Sequence, residues 1–381
     1  MKNLHWIFGL TVPIAFILTG CPKGGGGSGG FEATGSSLNV LYTANGGSNT
    51  LSGFTIGTAG ALTATTPASF STSGTNTEWV AVSTNGHFLY SSNQNSANIS
   101  GFTVNSTTGN LTATAPPTFS TGVGSSPRGI TVTPNGQFLY VANSASDTVS
   151  GFSLGSGGVL TPTSPATFPT SGSLARGIAV SPNGQFLYVA NSGSHTVSGF
   201  TIGAGGVLTA TTPATFSTGA GSPSPEGLAI SPNGSFLYVA NSGTNTIAVF
   251  SVGAGGLLTP TVPSTFPTGV LGSIPQRIVI SPNGSFLYVT NSGMNEVAAF
   301  IIGAGGLLTQ TSPASFSTGA TSTPVGITID PAGQFLYIAN SGSTNVSGFA
   351  IGLGGILAPI TPPIFSTAPH APIGIATPGR P

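Results

Sequence analysis

Charged side chains are scarce in this chain, where only 3% of 381 residues are Asp, Glu, Lys or Arg. Six basic and six acidic residues give a net charge of zero. Binding to nucleic acid requires a stripe of cations that neutralises phosphates, and six scattered cations cannot supply one, so we expect no nucleic-acid partner. The low charge does not indicate disorder, because 38% of the residues are hydrophobic and strongly patterned.

Cysteine is scarcer still, since Cys21 is the only one. The chain therefore has no internal disulfide, and its stability must come from packing. The acidic residues form no close pair, and no cluster of His and Cys accompanies them, so a protein metal site is not expected. We expect no cofactor. No segment has the periodicity or the capping residues of a helix.

The first 21 residues have the layout of a secretory signal. Lys2 gives a basic start, an apolar stretch runs from about Trp6 to Leu18, and Leu18-Thr-Gly-Cys21 ends it. The apolar run is too short to span a bilayer as a mature helix. Leu-Thr-Gly-Cys resembles the bacterial lipobox, whose cysteine is lipidated and becomes the new N-terminus. The alternative is an ordinary signal peptide with a chance cysteine.

The lipobox resemblance predicts where the mature protein resides. It implies a signal peptide at 1–21, a lipid on Cys21 and a flexible Gly/Ser-rich tether at 22–36. Pro22, rather than Asp, follows the cysteine, which in Gram-negative lipoproteins implies export to the outer membrane. We therefore expect an exported lipoprotein of the bacterial outer membrane or cell surface, held to the membrane by that lipid.

A repeat occupies the rest of the chain. Every tyrosine lies in a segment of the type Gln185-Phe-Leu-Tyr-Val-Ala-Asn191, and successive tyrosines are 48, 50, 48, 50, 50 and 49 residues apart. The tyrosines are Tyr42, Tyr90, Tyr140, Tyr188, Tyr238, Tyr288 and Tyr337. A fixed period of this size is typical of a propeller, a solenoid or another repeat array.

One copy of the repeat, Arg176 to Thr218, divides into four short apolar runs. Turn sequences such as Ser181-Pro-Asn-Gly184 separate them, with proline and glycine where a tight turn needs them. The runs predict strands at Gly177–Ser181, Gln185–Ala190, Thr196–Ile202 and Val207–Ser217. Four antiparallel strands in a repeat of this length form a propeller blade.

The two ends of the repeat region distinguish a closed propeller from an open solenoid. The first copy opens at Leu38 directly on its second strand, and Pro372-Ile-Gly-Ile-Ala-Thr377 supplies a matching first strand at the far end. A ring closed in this way has no exposed sheet edges. We therefore predict an all-β fold at 37–381, a seven-bladed β-propeller of four-stranded antiparallel blades, and we expect a monomer.

The Phe-Leu-Tyr-Val-Ala-Asn and Ser-Pro-Asn-Gly segments resemble the YVTN-type propellers of the 6-phosphogluconolactonase family, also called the lactonase or cycloisomerase-2 family. The resemblance implies a channel mouth with an arginine in a Pro-Arg-His-type segment, a histidine and acidic residues. Pro127-Arg128-Gly129 and Ala175-Arg176-Gly177 match the arginine, but glycine stands in place of the histidine. The histidines His87, His195 and His370 do not match the family position.

Charged residues concentrate where the copies differ. The position before the glycine of the first strand is occupied, in chain order, by Glu78, Arg128, Arg176, Glu226, Gln276, Val325 and Ile373. Arg277 replaces the glycine itself in the sixth blade. The first strands of a propeller converge on its axis, so these side chains are predicted to surround one mouth of the channel. Loops on the same face add Asp147, His195 and Glu296.

Glu78, Arg128, Arg176, Glu226 and Arg277 are thus the candidate site. They could be ion pairs that only stabilise the pore, such as Arg176 with Glu226 of the next blade. They could instead bind a small anionic ligand or a protein partner, or hydrolyse a lactone with a carboxylate as base and arginines on the oxyanion. The missing histidine favours a binding or interaction scaffold, with a lactonase acting on a sugar-acid lactone as the alternative.

Overall fold

The computed structural model describes residues 39–378, whose regular structure consists of 28 β-strands and five single 3₁₀ turns. The predicted signal peptide, Cys21, the whole predicted tether and Arg380 lie outside the described residues. Within residues 39–378, no helix is long and apolar enough to cross a membrane.

The strands form seven four-stranded antiparallel sheets, which are the blades. Blades 1 and 2 contain β1 (Val40–Asn45), β2 (Thr50–Ile56), β3 (Leu62–Ser71), β4 (Thr77–Val82), β5 (Phe88–Asn93), β6 (Asn98–Val104) and β7 (Leu111–Ser120). Blades 3 and 4 contain β8 (Pro127–Val132), β9 (Phe138–Asn143), β10 (Thr148–Leu154), β11 (Leu160–Pro169), β12 (Ala175–Val180), β13 (Phe186–Asn191), β14 (Thr196–Ile202) and β15 (Leu208–Ser217).

The remaining strands follow the same order. Blades 5 and 6 contain β16 (Pro225–Ile230), β17 (Phe236–Asn241), β18 (Thr246–Val252), β19 (Leu258–Pro267), β20 (Pro275–Ile280), β21 (Phe286–Asn291), β22 (Glu296–Ile302) and β23 (Leu308–Ser317). Blade 7 contains β24 (Pro324–Ile329), β25 (Phe335–Asn340), β26 (Asn345–Ile351) and β27 (Leu357–Ser366), and β28 (Pro372–Ala376) completes blade 1. The 3₁₀ turns are Ser156–Gly158, Ala204–Gly206, Ala254–Gly256, Ala304–Gly306 and Leu353–Gly355.

The ring closes through β28, as the sequence predicted. This strand pairs antiparallel with β1, so the sheet of blade 1 reads β28-β1-β2-β3. The first strand of every blade contacts the first strands of both neighbouring blades, and β28 contacts β24 and β4. Seven innermost strands therefore surround a central channel, and the closed all-β propeller is confirmed.

The core lies between blades and not within them. Each hydrophobic cluster joins one face of a blade to the facing side of the next, as when Tyr140 and Ala142 of blade 3 pack with Leu187 and Val189 of blade 4. The Phe-Leu-Tyr-Val-Ala-Asn strand is buried on both faces, since alternate residues face the blades on either side. This is why its hydrophobic run is continuous rather than alternating.

The tyrosine of each copy also donates a hydrogen bond to the next blade. Every hydroxyl reaches a glycine carbonyl in the turn between the third and fourth strands, at 2.6 to 3.1 Å. The pairs are Tyr42 to Gly109, Tyr90 to Gly158, Tyr140 to Gly206, Tyr188 to Gly256, Tyr238 to Gly306, Tyr288 to Gly355 and Tyr337 to Gly60. The last pair links blade 7 to blade 1.

Candidate functional site

Each innermost strand carries an irregularity at its start, next to the channel mouth. In blade 3, for example, Pro127 pairs with Asn143 but Ile130 pairs with Val141, which leaves one residue more on the inner strand. The same shift occurs in all seven blades. Such a bulge re-aims the side chains beside it. The bulge contains the variable position and the glycine that follows it.

The glycine allows the bulges of neighbouring blades to touch. A Cβ on Gly227 would lie 2.6 Å from the carbonyl oxygen of Gln276 and 2.9 Å from the Cα of Arg277 in the next blade. Gly129, Gly177, Gly326 and Gly374 meet the same carbonyl of their next blade. Five blades therefore pack backbone against backbone at the mouth.

Four of the five predicted site residues form two ion pairs between adjacent blades. Arg128 Nη1 lies 2.8 Å from Glu78 Oε2, and Arg176 Nη1 lies 3.0 Å from Glu226 Oε2. All four side chains are at least two-thirds buried, with exposures of 24% and 10% in the first pair and 30% and 16% in the second. The pairing of Arg176 with Glu226 is the structural interaction that the sequence suggested.

Polar neighbours fix each arginine further. Arg176 donates a hydrogen bond from Nε to Ser192 Oγ at 3.0 Å. Gln94 lies between Arg128 and Glu78. With its amide oriented to suit both neighbours, its nitrogen donates to Glu78 Oε1 at 2.7 Å and its oxygen accepts from Arg128 Nη2 at 2.9 Å. The two pairs are therefore held rigidly, as a preorganised site requires.

Glu226 lies among three positive charges at the mouth. Burial raises its pKa, and the positive charges of Arg176, Arg277 and Arg128 oppose that rise. Burial also lowers the pKa of Arg128. The mouth thus places the largely buried carboxylate of Glu226 in the field of three guanidinium groups.

Arg277, the fifth predicted site residue, stands apart from both ion pairs. It occupies the glycine position of blade 6, and Trp79 occupies the same position in blade 2, almost opposite across the channel. The guanidinium carbon of Arg277 lies 2.8 Å from the centroid of the Trp79 ring. Cations are attracted to the face of an indole, most strongly where both are desolvated. Burial lowers the pKa of Arg277 to about 9.

The two blades without the glycine share a second substitution. Where the other five blades have alanine at the facing position of the second strand, blade 2 has Ser92 and blade 6 has Thr290. Ser92 Oγ donates to the carbonyl of Arg128 at 2.6 Å, and Thr290 Oγ1 donates to that of Val325 at 2.9 Å. In the five glycine blades, the equivalent carbonyl of the next blade rests against the glycine. A large side chain at the mouth is thus accompanied by a hydroxyl that bonds the carbonyl of the next blade.

A cavity of about 90 Å³ lies beside this stack inside the channel. Trp79 and Arg277 line it together with glycine positions of other blades and with apolar side chains one residue further along the strands. The apolar lining residues are Val80, Leu228, Ile278, Ile327 and Ile375.

The titratable residues of the loops serve local structure. Asp147 Oδ1 accepts the backbone N–H of Leu174 at 2.7 Å, and His195 Nδ1 accepts that of Ser224 at 3.2 Å. Asn49, Asn245 and Asn295 accept the equivalent N–H in other blades. Glu296 accepts hydrogen bonds from the side chains of Asn291 and Ser315.

The other two histidines lie in connections. His87 follows a turn on the face opposite the mouth, beside Phe88. His370 lies in the loop before β28. Its backbone N–H donates to the carbonyl of Thr367, and its carbonyl accepts a hydrogen bond from Thr367 Oγ1. In residues 39–378, no group of three His, Cys, Asp or Glu side chains is placed to hold a metal ion.

Comparison with known proteins identifies the family. A family model described as lactonase, 7-bladed beta-propeller, matches residues 33–123, 114–215, 171–269 and 259–356. The chain belongs to the seven-bladed lactonase family. A search of curated protein sequences finds no match to it.

Solved structures share the fold of this lactonase-family propeller. One is a putative 6-phosphogluconolactonase of Bacteroides fragilis, 22% identical, with a TM-score of 0.76 over 91% of this chain and 99% of that one. Another, from Bacteroides uniformis and also described as a putative 6-phosphogluconolactonase, is 20% identical with a TM-score of 0.75 over 90% and 100%. The periplasmic gluconolactonase of Pseudomonas aeruginosa is 20% identical with a TM-score of 0.73 over 91% and 100%.

Sequence reasoning missed two residues of the site in this lactonase-family chain. Trp79 stands at the glycine position of its copy, and Gln94 stands where five other copies have serine. Both departures were visible in the aligned copies. Neither side chain is ionisable, so the concentration of charge at the mouth does not reveal them.

Proposed function

We propose that this chain is an exported lactonase that hydrolyses a sugar-acid lactone at the mouth bearing Glu78, Arg128, Arg176, Glu226 and Arg277. Membership of the lactonase family supports the activity, and the names of its structural neighbours suggest the substrate class. The observation that carries the proposal is the desolvated carboxylate of Glu226 among three arginine charges.

The residues suit the chemistry of ester opening. Water attacks the lactone carbonyl carbon while Glu226 accepts one of its protons, and a raised pKa makes a carboxylate a better base. The arginines stabilise the oxyanion of the tetrahedral intermediate and bind an anionic substituent of the sugar. The bond from carbonyl carbon to ring oxygen then breaks, the leaving oxygen takes the proton from Glu226, and the product acid ionises.

A specific observation favours the second candidate, a non-catalytic binding scaffold. Both mouth carboxylates are engaged in ion pairs, and His195 is committed to the backbone of Ser224. In that case the mouth would bind a small anion or a protein partner without turning it over.

Turnover with matched variants separates the two candidates. We expect the purified chain to open gluconolactone or 6-phosphogluconolactone above the uncatalysed rate, and Glu226→Gln to lower kcat by roughly 10²- to 10⁴-fold, because the proton acceptor is lost. Glu78→Gln is the control, since it neutralises the equivalent carboxylate of the other ion pair. Absence of turnover by the unaltered chain, or full activity in Glu226→Gln, would refute the lactonase proposal.

The cellular location is part of the proposal. The layout of residues 1–21 and the single Cys21 support export and a lipid anchor. Replacement of Cys21 by Ser removes the acceptor thiol, so the protein should leave the membrane fraction on cell fractionation. An unchanged membrane fraction would contradict the anchor.

A further inference from the structure

The channel contains two hydrogen-bond donors that the protein leaves without an acceptor. Among residues 39–378, none accepts a hydrogen bond from the guanidinium of Arg277 or from the buried indole Nε1–H of Trp79. Both side chains line the cavity of about 90 Å³. Of the two donors only the indole nitrogen is fully buried, and a buried donor without a partner costs about 1–3 kcal/mol.

The charge of Arg277 is also uncompensated by direct contact. Of the three arginines in the described part of the chain, Arg128 and Arg176 each contact a carboxylate, and Arg277 contacts none. Glu226 and Glu78 act on it only through their fields, against Arg128 and Arg176. An anion in the cavity would supply the missing charge and an acceptor for the guanidinium of Arg277.

The form and walls of the cavity restrict which anion fits. Stacking on Trp79 covers one face of the guanidinium and leaves its edge, which matches the two oxygens of a carboxylate. The walls include Val80, Leu228 and Ile278, which favour an apolar substituent over a strongly hydrated divalent anion. A cavity of about 150 Å³ accommodates benzene, so the space here suits a smaller molecule.

We infer that Arg277 and Trp79 form an anion subsite inside the channel that binds the carboxylate of a short aliphatic acid such as acetate or propionate. This inference goes beyond lactone hydrolysis and does not depend on it. The mouth residues of the two ion pairs are not part of the subsite.

Trp79 itself reports on the subsite. The chain contains only two tryptophans, Trp6 and Trp79. The ring begins at residue 37, so Trp79 is its single tryptophan. We expect saturable changes in its fluorescence and an increase in Tm with acetate or propionate. Acetamide and propionamide, which have the same shape without charge, should produce neither.

A variant that restores the common blade tests the role of Arg277. The double variant Arg277→Gly with Thr290→Ala gives blade 6 the glycine and the alanine that blades 3, 4, 5 and 7 have at these positions. The double variant should therefore fold, and circular dichroism checks that it does. It should lose at least tenfold in acetate affinity, whereas Asp147→Asn, which removes a charge in a loop outside the cavity, should bind as before. Equal binding by the double variant, an equal response to the amides, or no saturable response would overturn the inference. Lactone turnover is measured separately, so its absence leaves these outcomes unaffected.

Discussion

Trp79 and Arg277 occupy a position of the repeat that is glycine in the other five blades. At five of seven blades, a glycine admits the carbonyl of the next blade, and at the other two a large side chain faces the channel instead. The displaced carbonyls are then satisfied by Ser92 and Thr290. The two substitutions in each blade are therefore parts of one change.

A double-mutant cycle tests this coupling. Thr290→Ala leaves the partly buried carbonyl of Val325 without its donor and should lower the free energy of unfolding by about 1 kcal/mol. In an Arg277→Gly background the same substitution should cost less, because blade 5 shows that glycine and alanine suffice together. Urea denaturation measures both steps, and equal costs in the two backgrounds would show that the residues are independent.

The ionisable residues of the site were predictable, but their arrangement was not. Repeat spacing alone placed Glu78, Arg128, Arg176 and Glu226 at one position of the first strand. The bulge sets the direction of each side chain and thereby decides whether Arg277 joins an ion pair or stacks on Trp79. The two-residue alternation of a strand does not predict a bulge, so this choice could not be predicted from the sequence.

At the scale of the strand, the glycine of each bulge is needed for packing rather than for an unusual backbone angle. Gly227→Ala should destabilise the ring by about 1–3 kcal/mol, because the new methyl group would overlap the backbone of β20. Gly47→Ala is the matched control, since a Cβ there meets nothing within 4 Å. Chemical denaturation of both variants gives the comparison, and similar stabilities would contradict this account of the bulge.

The sequence predicted the strands closely where hydrophobic runs have clear ends. Thr196–Ile202 matches β14, and the run Gln185–Ala190 is offset by one residue from β13. The predicted Gly177–Ser181 begins two residues after β12 does, because Ala175 and Arg176 belong to the bulge and not to the apolar run. The largest error therefore falls at the channel mouth, where local irregularity replaces the regular alternation of a strand.

At the scale of the whole molecule, the seven tyrosines govern stability in alkaline solution. Burial raises the pKa of each hydroxyl well above its usual value of 10.0. Because the folded pKa is the higher one, this stabilisation is complete below pH 10 and is lost as the pH rises further. Seven protons at about 1.4 kcal/mol per pH unit each give a slope of roughly 10 kcal/mol per unit.

We therefore expect cooperative unfolding within about one to two units above pH 10, since domains of this kind are stable by about 5–15 kcal/mol. Arg277, whose pKa burial lowers to about 9, acts in the opposite direction above that pH, but it is a single group. Circular dichroism along a pH titration measures the transition. Tyr188→Phe should reduce the slope of the free energy of unfolding against pH by the contribution of one proton. A ring that stays folded far above this range would contradict the role given to the tyrosines.

We propose that the ring supplies the architecture and that its charged mouth, with Arg128, Arg176 and Glu226, binds a sugar acid. The most direct measurement is a crystal structure of the ring soaked with gluconate, the product of gluconolactone opening. The account predicts density for gluconate at the mouth, within hydrogen-bonding distance of Arg128 or Arg176 and of Glu226. Density for gluconate at another surface, or an unchanged mouth at a saturating concentration, would contradict it.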